Sequence, residues 1–218
     1  MADTATARHN MVESQIRTNK VTDTRLTNAM LDIPRERFLP KAMRGIAYID
    51  EDIALGGGRH MMQPMVLARL LQIAEVRPGD VALDIGCGSG YSAAVLARLC
   101  DTVVAVECDS KLAMEATKTL AELDIDNAAV IEGALTGGCA KQGPYDIVLF
   151  DGAISAVPEK IAKQVAPDGR IVAIVGAGTG LGKGSIFRKT GGSLHARTVF
   201  DAAIPYLPGF EAATEFVF

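Results

Sequence analysis

From Gly79 onward the sequence alternates short, continuously apolar runs with stretches of helical periodicity, and no other feature restricts the fold as much. The runs are Val81–Ile85, Val103–Val106, Ala128–Ile131, Ile147–Phe150 and Ile171–Val175, and helical patterns cover Ser92–Leu99, Lys111–Leu123 and Pro158–Val165. The order reads β-α-β-α-β-x-β-α-β. A strand that is apolar along its whole length has both faces buried, which requires a parallel sheet covered by helices on either side. Ser185–Arg188 and His195–Phe200 read as two further strands with no helix between them, and Phe216-Val217-Phe218 closes the chain. Such a pair joins the edge of a parallel sheet as antiparallel strands. The expected architecture is α/β: a doubly wound, mostly parallel, seven-stranded sheet with C-terminal antiparallel strands and ligands at the carboxyl ends of its strands.

The residues before Gly79 follow another pattern. Met11, Ile16 and Val21, then Leu26, Met30 and Leu31, form short apolar stripes, the second stopped by Ile33-Pro34 because a proline bars helical geometry from the residue before it. Gly56-Gly57-Gly58 is a break, and Met65, Val66, Leu67, Leu70, Leu71 and Ile73 then make a helical stripe with Pro64 in its first turn. We expect residues 1–78 to be an N-terminal helical extension covering the site and residues 79–218 to be the ligand-binding α/β part, together one compact unit. A chain of 218 residues, 49% of them hydrophobic, suits one domain with an appendage.

A net charge of −4 argues against a broad basic face for nucleic acid or an anionic membrane. The uncharged stretch Ile171 to Gly182 is broken by glycines and is too short to cross a bilayer. The N-terminal residues lead into no apolar segment of the secretory kind. Cys87, Cys100, Cys108 and Cys139 match no zinc spacing, and with no export signal they are expected to be reduced thiols in the cytoplasm. His9, His60 and His195 are far apart with no carboxylate pattern beside them, so no metal site is expected.

Chemistry concentrates after the first strand of the α/β part. Leu83-Asp84-Ile85-Gly86-Cys87-Gly88-Ser89-Gly90-Tyr91 ends that strand on Asp84 and then places glycines at alternate positions, where a ligand can approach the backbone without meeting a Cβ. Tyr91 stands where a dinucleotide G-x-G-x-x-G would need its third glycine, which counts against NAD. The second strand delivers Glu107 at its carboxyl end, and an ionised carboxylate there can accept two hydrogen bonds from the cis-diol of a ribose. Asp84, G-x-G-x-G and Glu107 together match the S-adenosylmethionine site of Rossmann-like class I methyltransferases, in which the cofactor's sulfonium makes a methyl group electrophilic. Gly176–Lys183 superficially resembles a phosphate-binding loop, but Ala177 and Gly184 stand where that motif needs glycine and Ser or Thr.

Further segments resemble the protein-L-isoaspartate O-methyltransferases over nearly the whole chain. Ile33-Pro34-Arg35-Glu36-Arg37-Phe38-Leu39-Pro40 is similar to that family's V-P-R-E-x-F-V-P, and Ala47-Tyr48-Ile49-Asp50 to its A-Y-x-D. Gln63-Pro64 resembles the end of its T-I-S-Q-P, Pro144-Tyr145-Asp146 its P-Y-D, and Gly169-Arg170-Ile171-Val172 with Val175-Gly176 its G-G-R-L-V-x-P-V-G. The resemblance implies methylation, with S-adenosylmethionine, of the α-carboxylate of L-isoaspartyl residues in damaged proteins. It assigns Asp84, Gly86, Cys87, Gly88, Gly90, Glu107, Cys108, Gly133 and Ala134 to cofactor binding. The sequence also departs from the family. His60-Met61-Met62 overlies T-I-S, so the active-site serine position holds Met62, and Gly133-Ala134 overlies G-D, so an acid near the adenine is missing. The family's C-terminal F-V-P-L has no counterpart beside Phe200–Pro205.

The acceptor side therefore rests on this chain's own residues. His60 is a candidate base or hydrogen-bond donor, or a histidine that packs the loop, and Arg59 is the other polar group there. Asp151, at the end of the fourth strand, could orient an amine or hydroxyl acceptor, or cap the turn into Ile154–Lys160. Met61, Met62 and Met65 either form an apolar acceptor pocket or simply pack. The expected activity is a methyltransferase of this family with altered substrate or reduced repair activity. A small-molecule O- or N-methyltransferase and a non-catalytic cofactor-binding protein are the alternatives. Expected partners are a protein or peptide with isoaspartyl residues, or a small-molecule acceptor, and neither nucleic acid nor membrane.

Overall fold

The structure, a computed structural model, describes residues 3–176 and 180–212. The closing Phe216-Val217-Phe218 and part of the glycine-rich loop after Val175 lie outside the described residues. Helix α1 (Thr4–Met11) starts on Asp3, whose carboxylate accepts from the Ala5 amide. Helix α2 (Thr24–Asp32) starts on Asp23 and stops at Ile33, which is extended because Pro34 follows it. Two short 3-10 turns, Arg35–Phe38 and Lys41–Ile46, lead to a two-stranded hairpin of β1 (Ile53–Gly56) and β2 (Arg59–Met61). The glycine break of the sequence is the turn of this hairpin. Helix α3 (Pro64–Ala74) follows, its proline in the first turn.

The main sheet contains β3 (Val81–Ile85), β4 (Thr102–Glu107), β5 (Ala128–Glu132), β6 (Tyr145–Ile154), β7 (Val165–Val175), β8 (Gly182–Thr190) and β9 (Ser193–Ala202). Its order is β5-β4-β3-β6-β7-β8-β9. The first five strands in that order are parallel, and β8 and β9 are antiparallel additions at one edge, as the pattern predicts. Helices α4 (Tyr91–Ala97), α5 (Ser110–Glu122) and α6 (Glu159–Ala162) lie in the crossovers.

Two expectations need correction. Helix α6 is a single turn rather than a helix over Pro158–Val165, because Val165 already pairs with Tyr145 in the sheet. Asp151 does not end its strand: β6 continues to Ile154 after a register shift between Leu149 and Ala153. The N-cap of α6 is Pro158 with no side-chain cap, so Asp151 caps nothing there.

Residue parity along the strands sorts the core into two layers. Ala82, Val103, Ala105, Ile147 and Leu149 pack against Met11, Ile16, Leu26, Met30, Leu67 and Leu70 of the N-terminal elements. Leu83, Ile85, Val104, Val106, Val148 and Phe150 pack on the opposite side with Leu207 and Phe210. Asp84 and Glu107 have the parity of Ala82 and Ala105, so both face the layer that the N-terminal elements cover. Among the described residues no helix is long and apolar enough to cross a membrane, and the four cysteines are unpaired.

Candidate active site

The turn after β3 needs its glycines. Gly86, Gly88 and Gly90 have φ values of 82°, 55° and 97°, a left-handed region that other residues adopt only with strain. The Gly86 amide donates to the Val106 carbonyl at 2.8 Å and the Gly90 amide to the Cys87 carbonyl at 2.8 Å, which folds the loop back over the end of the sheet. Gly90 also allows α4 to start against α5: a Cβ there would sit 3.0 Å from the Ala116 Cβ. At the other two glycines the neighbour is unexpected. A Cβ on Gly86 would lie 2.6 Å from Arg59 Nη2 and 2.6 Å from Leu207 Cδ2, and one on Gly88 would lie 2.9 Å from Leu55 Cδ1. The space that the sequence reserves for ligand approach is taken by this chain's own side chains.

Glu107 is completely buried, and its carboxylate is fully engaged. Oε2 accepts from the Gly88 amide at 2.7 Å, and Oε1 from the Cys108 and Asp109 amides at 2.8 and 3.1 Å. Arg59 Nε donates to both oxygens, at 3.1 and 3.2 Å, and its Nη2 donates to the Gly86 carbonyl. Arg59 is 2% exposed, so this is a buried ion pair. It is not the polar group of an acceptor loop that sequence reading makes of it. Arg59 and Met61 are the inward residues of β2 and His60 points the other way. The alternation was legible once β2 was known to be a strand.

A second acidic group lies alongside. Ser92 Oγ donates to Asp84 Oδ2 at 2.6 Å, while Asp84 Oδ1, Asp151 Oδ1 and Ser89 Oγ make no hydrogen bond within the described protein. Burial raises the pKa of Asp84 well above the usual carboxylate range, and the charge of Asp151 adds to the effect. Burial likewise pushes Asp151 up to about 6, with Arg59 and Arg35 opposing the rise. Arg35, which the sequence offered only as part of the P-R-E segment, is buried over the Tyr91 ring at 4.7 Å. It donates to the Ala47 carbonyl and, at 2.8 Å, to the Met62 carbonyl.

The other candidates are dispersed around this centre. Met62 is buried and offers its backbone to Arg35, and Met61 is buried beside it while Met65 is half-buried. His60 is half-buried, and its charge acts on Asp52, whose carboxylate accepts from the Gln63 amide at 2.7 Å. Cys87 is buried in the glycine turn, and Cys108 is exposed just past Glu107. Gly133 donates to the Glu107 carbonyl at 2.9 Å, and the exposed Ala134 begins a 3-10 turn. Sequence reading missed the contributions of Arg35, Leu55, Ser92 and Leu207. Ser92 alone had a signal, at the first turn of the helix that the glycine motif opens.

A glycine turn at the end of the first sheet strand, an acid at the end of the second and helices on both faces define the class I methyltransferase architecture. The residue types fit S-adenosylmethionine: Glu107 would take ribose hydroxyls in place of Arg59, the glycine turn would allow close backbone approach, and the unpartnered oxygens of Asp84 and Asp151 would suit a cation. Residues 6–208 match the model of the protein-L-isoaspartate(D-aspartate) O-methyltransferase family, and the chain belongs to that family, whose members depend on S-adenosylmethionine. It is 38% identical over 169 residues to the protein-L-isoaspartate O-methyltransferase of Methanoculleus marisnigri, covering 78% of this chain and 77% of that one. It is 34% identical over 192 residues to the Opitutus terrae enzyme of the same name, covering 88% and 82%. A solved protein-L-isoaspartate O-methyltransferase superposes with a TM-score of 0.82 at 25% identity, over 93% of this chain and 66% of that chain, just under two thirds of its length. A beta-aspartate methyltransferase from Plasmodium falciparum, solved with S-adenosyl-L-homocysteine, gives a TM-score of 0.75 at 20% identity, over 91% and 96%, and shares the fold.

Proposed function

We propose that the protein transfers the methyl group of S-adenosylmethionine to an acceptor carboxylate of the isoaspartyl type, with a repair activity lower than its relatives have. The observation that carries the reading is the joint presence of Asp84, the left-handed glycine turn and Glu107 at adjacent strand ends beneath a covered acceptor face. Bound cofactor would supply an electrophilic methyl on a sulfonium. Glu107 would hold the ribose hydroxyls, and Asp84 and Asp151 would face the positive charge. The N-terminal elements, residues 1–78, would exclude water and align the acceptor, and alignment matters most in methyl transfer because no group on the protein is consumed. The lower activity proposed rests on Met62, a buried side chain that brings no hydroxyl to orient a carboxylate.

Those same acids favour a second reading. Asp151 has a carboxylate oxygen without a partner and a pKa pushed up by burial to about 6, which suits an acceptor that arrives as a hydroxyl or amine and gives up a proton.

The deciding experiment is transfer of labelled methyl from S-adenosylmethionine to an L-isoaspartyl peptide, run beside a relative with serine at the Met62 position. Slow but measurable transfer is expected. Transfer at the relative's rate rejects the lowered activity, and none at all, with labelled small hydroxyl or amine acceptors turning over, selects the second reading.

A further inference from the structure

We propose that Arg59 is a latch that holds the cofactor site shut, and that S-adenosylmethionine enters only when the β1–β2 hairpin carries this arginine off Glu107. The inference rests on the cofactor reading above and adds how access to that site is controlled.

Glu107 is the first argument. A carboxylate offers two oxygens with about four acceptor positions, and the Gly88, Cys108 and Asp109 amides together with Arg59 Nε fill them. The three amides are fixed by the strand end and the glycine turn, so they persist in any state with the sheet intact. Arg59 is the one donor brought from a separate element. A ribose diol, which must donate to the same oxygens, can be accommodated only in its place.

Space gives the second argument. Arg59 and Leu207 lie over Gly86, and Leu55, also from the hairpin, lies over Gly88. Two of these three obstructions travel together on β1 and β2.

Charge gives the third. Asp84, Glu107 and Asp151 are all buried at this point, and the positive field of Arg59 acts on both aspartates. The sulfonium of S-adenosylmethionine carries the same sign as the Arg59 guanidinium. Exchanging Arg59 for the cofactor therefore keeps the buried acids compensated, whereas opening the site with nothing bound leaves them unpaired. The closed form is thus the resting form, and the cationic ligand is the group that can replace the latch.

The hairpin is also a separate element. It forms its own two-stranded sheet, separate from the seven-stranded one. Gly56, Gly57 and Gly58 all have left-handed φ, of 95°, 57° and 73°, and nothing lies within 4 Å of a Cβ placed on Gly56 or Gly58. At its base, Asp52 accepts from the Gln63 amide at 2.7 Å and Gln63 Nε2 donates to the Asp50 carbonyl at 2.8 Å, which joins the two ends of the segment.

A site open for only a fraction of the time binds with its affinity reduced by that fraction. Calorimetry with S-adenosylmethionine on the wild-type chain and on Arg59→Gln is the test, with a cooperative thermal melt to confirm that the variant folds. The variant is expected to bind roughly tenfold tighter or better. In the wild type, the Arg59 Nε–Hε nitrogen-15 resonance, assigned through bonds, should leave its ion-paired position on saturation with S-adenosylmethionine. Equal or weaker binding by a folded variant overturns the latch. So does an Arg59 resonance unmoved at saturation, which decides the matter even where the variant does not fold. If isoaspartyl methylation proceeds while the affinities are equal, the latch falls and the proposed function stands. If neither protein binds at millimolar ligand, both fall.

Discussion

Asp151 shows how much a single side chain can conceal in a sequence. Its position at the ligand end of the sheet was legible from the apolar run before it, but its consequence depends on Asp84, 67 positions earlier, which β3–β6 pairing brings alongside. Both carboxyls bind protons more tightly in the folded chain than in the unfolded one, because burial opposes their charge. For Asp151 the folded protein then holds the extra proton from about pH 4 to about pH 6, and stability falls as the pH rises through that window. Asp151→Asn removes that loss. The variant should melt higher than wild type near neutral pH, by on the order of 1–3 kcal/mol, and match it near pH 4. Melting curves at the two pH values check this, and an unchanged difference between them would detach Asp151 from the acidic pair. Arg59 is the converse case. Its neighbours Gly58 and His60 give no hint of burial, and the partner that buries it, Glu107, is 48 residues away.

Elements were easier to read than their ends. Strands β3, β4 and β5 fall where continuous apolar runs put them; in β3 and β4 burial on both faces leaves a mark on almost every residue, whereas β5 is a partly exposed edge strand. The hairpin of β1 and β2 left none, because three- and four-residue strands are too short to show alternation and the glycines between them look like any break. Helix α6 was overread because Val165 and Ala166, apolar for the sheet, continue a helical stripe by chance. The glycine turn was read correctly as a turn, yet its glycines divide their roles. Gly86 and Gly88 lie beneath side chains that can shift, whereas Gly90 holds α4 against the Ala116 backbone, with a would-be Cβ 3.4 Å from its Cα. Gly90→Ala therefore combines left-handed strain with a contact that only helix movement relieves, and it should destabilise by about 1–3 kcal/mol. Urea denaturation measures the effect. A loss of a few tenths would mean that α5 yields freely and that the glycine serves the loop alone.

At the scale of the molecule the question is whether residues 1–78 and the sheet fold as one unit. The shared core layer argues that they do, since Leu67 and Leu70 of α3 pack in the same cluster as Ala82 and Leu149 of the sheet. Arg170 adds a polar tie at the seam. Buried in β7, it donates to the Ala74 carbonyl at 2.7 Å and the Glu75 carbonyl at 3.2 Å, where α3 ends, and also pairs with Asp80 ahead of β3. Arg25 of α2 makes a similar link to the Val76 carbonyl at 3.0 Å. Arg170→Met keeps much of the side-chain volume but leaves Asp80 buried without its cation and two carbonyls without a donor. Breaking a buried pair in this way costs about 3–5 kcal/mol. The chain has no tryptophan and four tyrosines, of which Tyr48 lies in the N-terminal part and Tyr91, Tyr145 and Tyr206 lie beyond it, so near-ultraviolet and far-ultraviolet signals sample both parts. In urea, the wild type should give one transition by both probes, and Arg170→Met should move that single transition as a whole to lower urea. If the two probes separate in the wild type, the N-terminal elements are an independently unfolding cover. If they separate only in the variant, Arg170 is what joins the cover to the sheet, and a site closed from the N-terminal side inherits its rigidity from that one guanidinium.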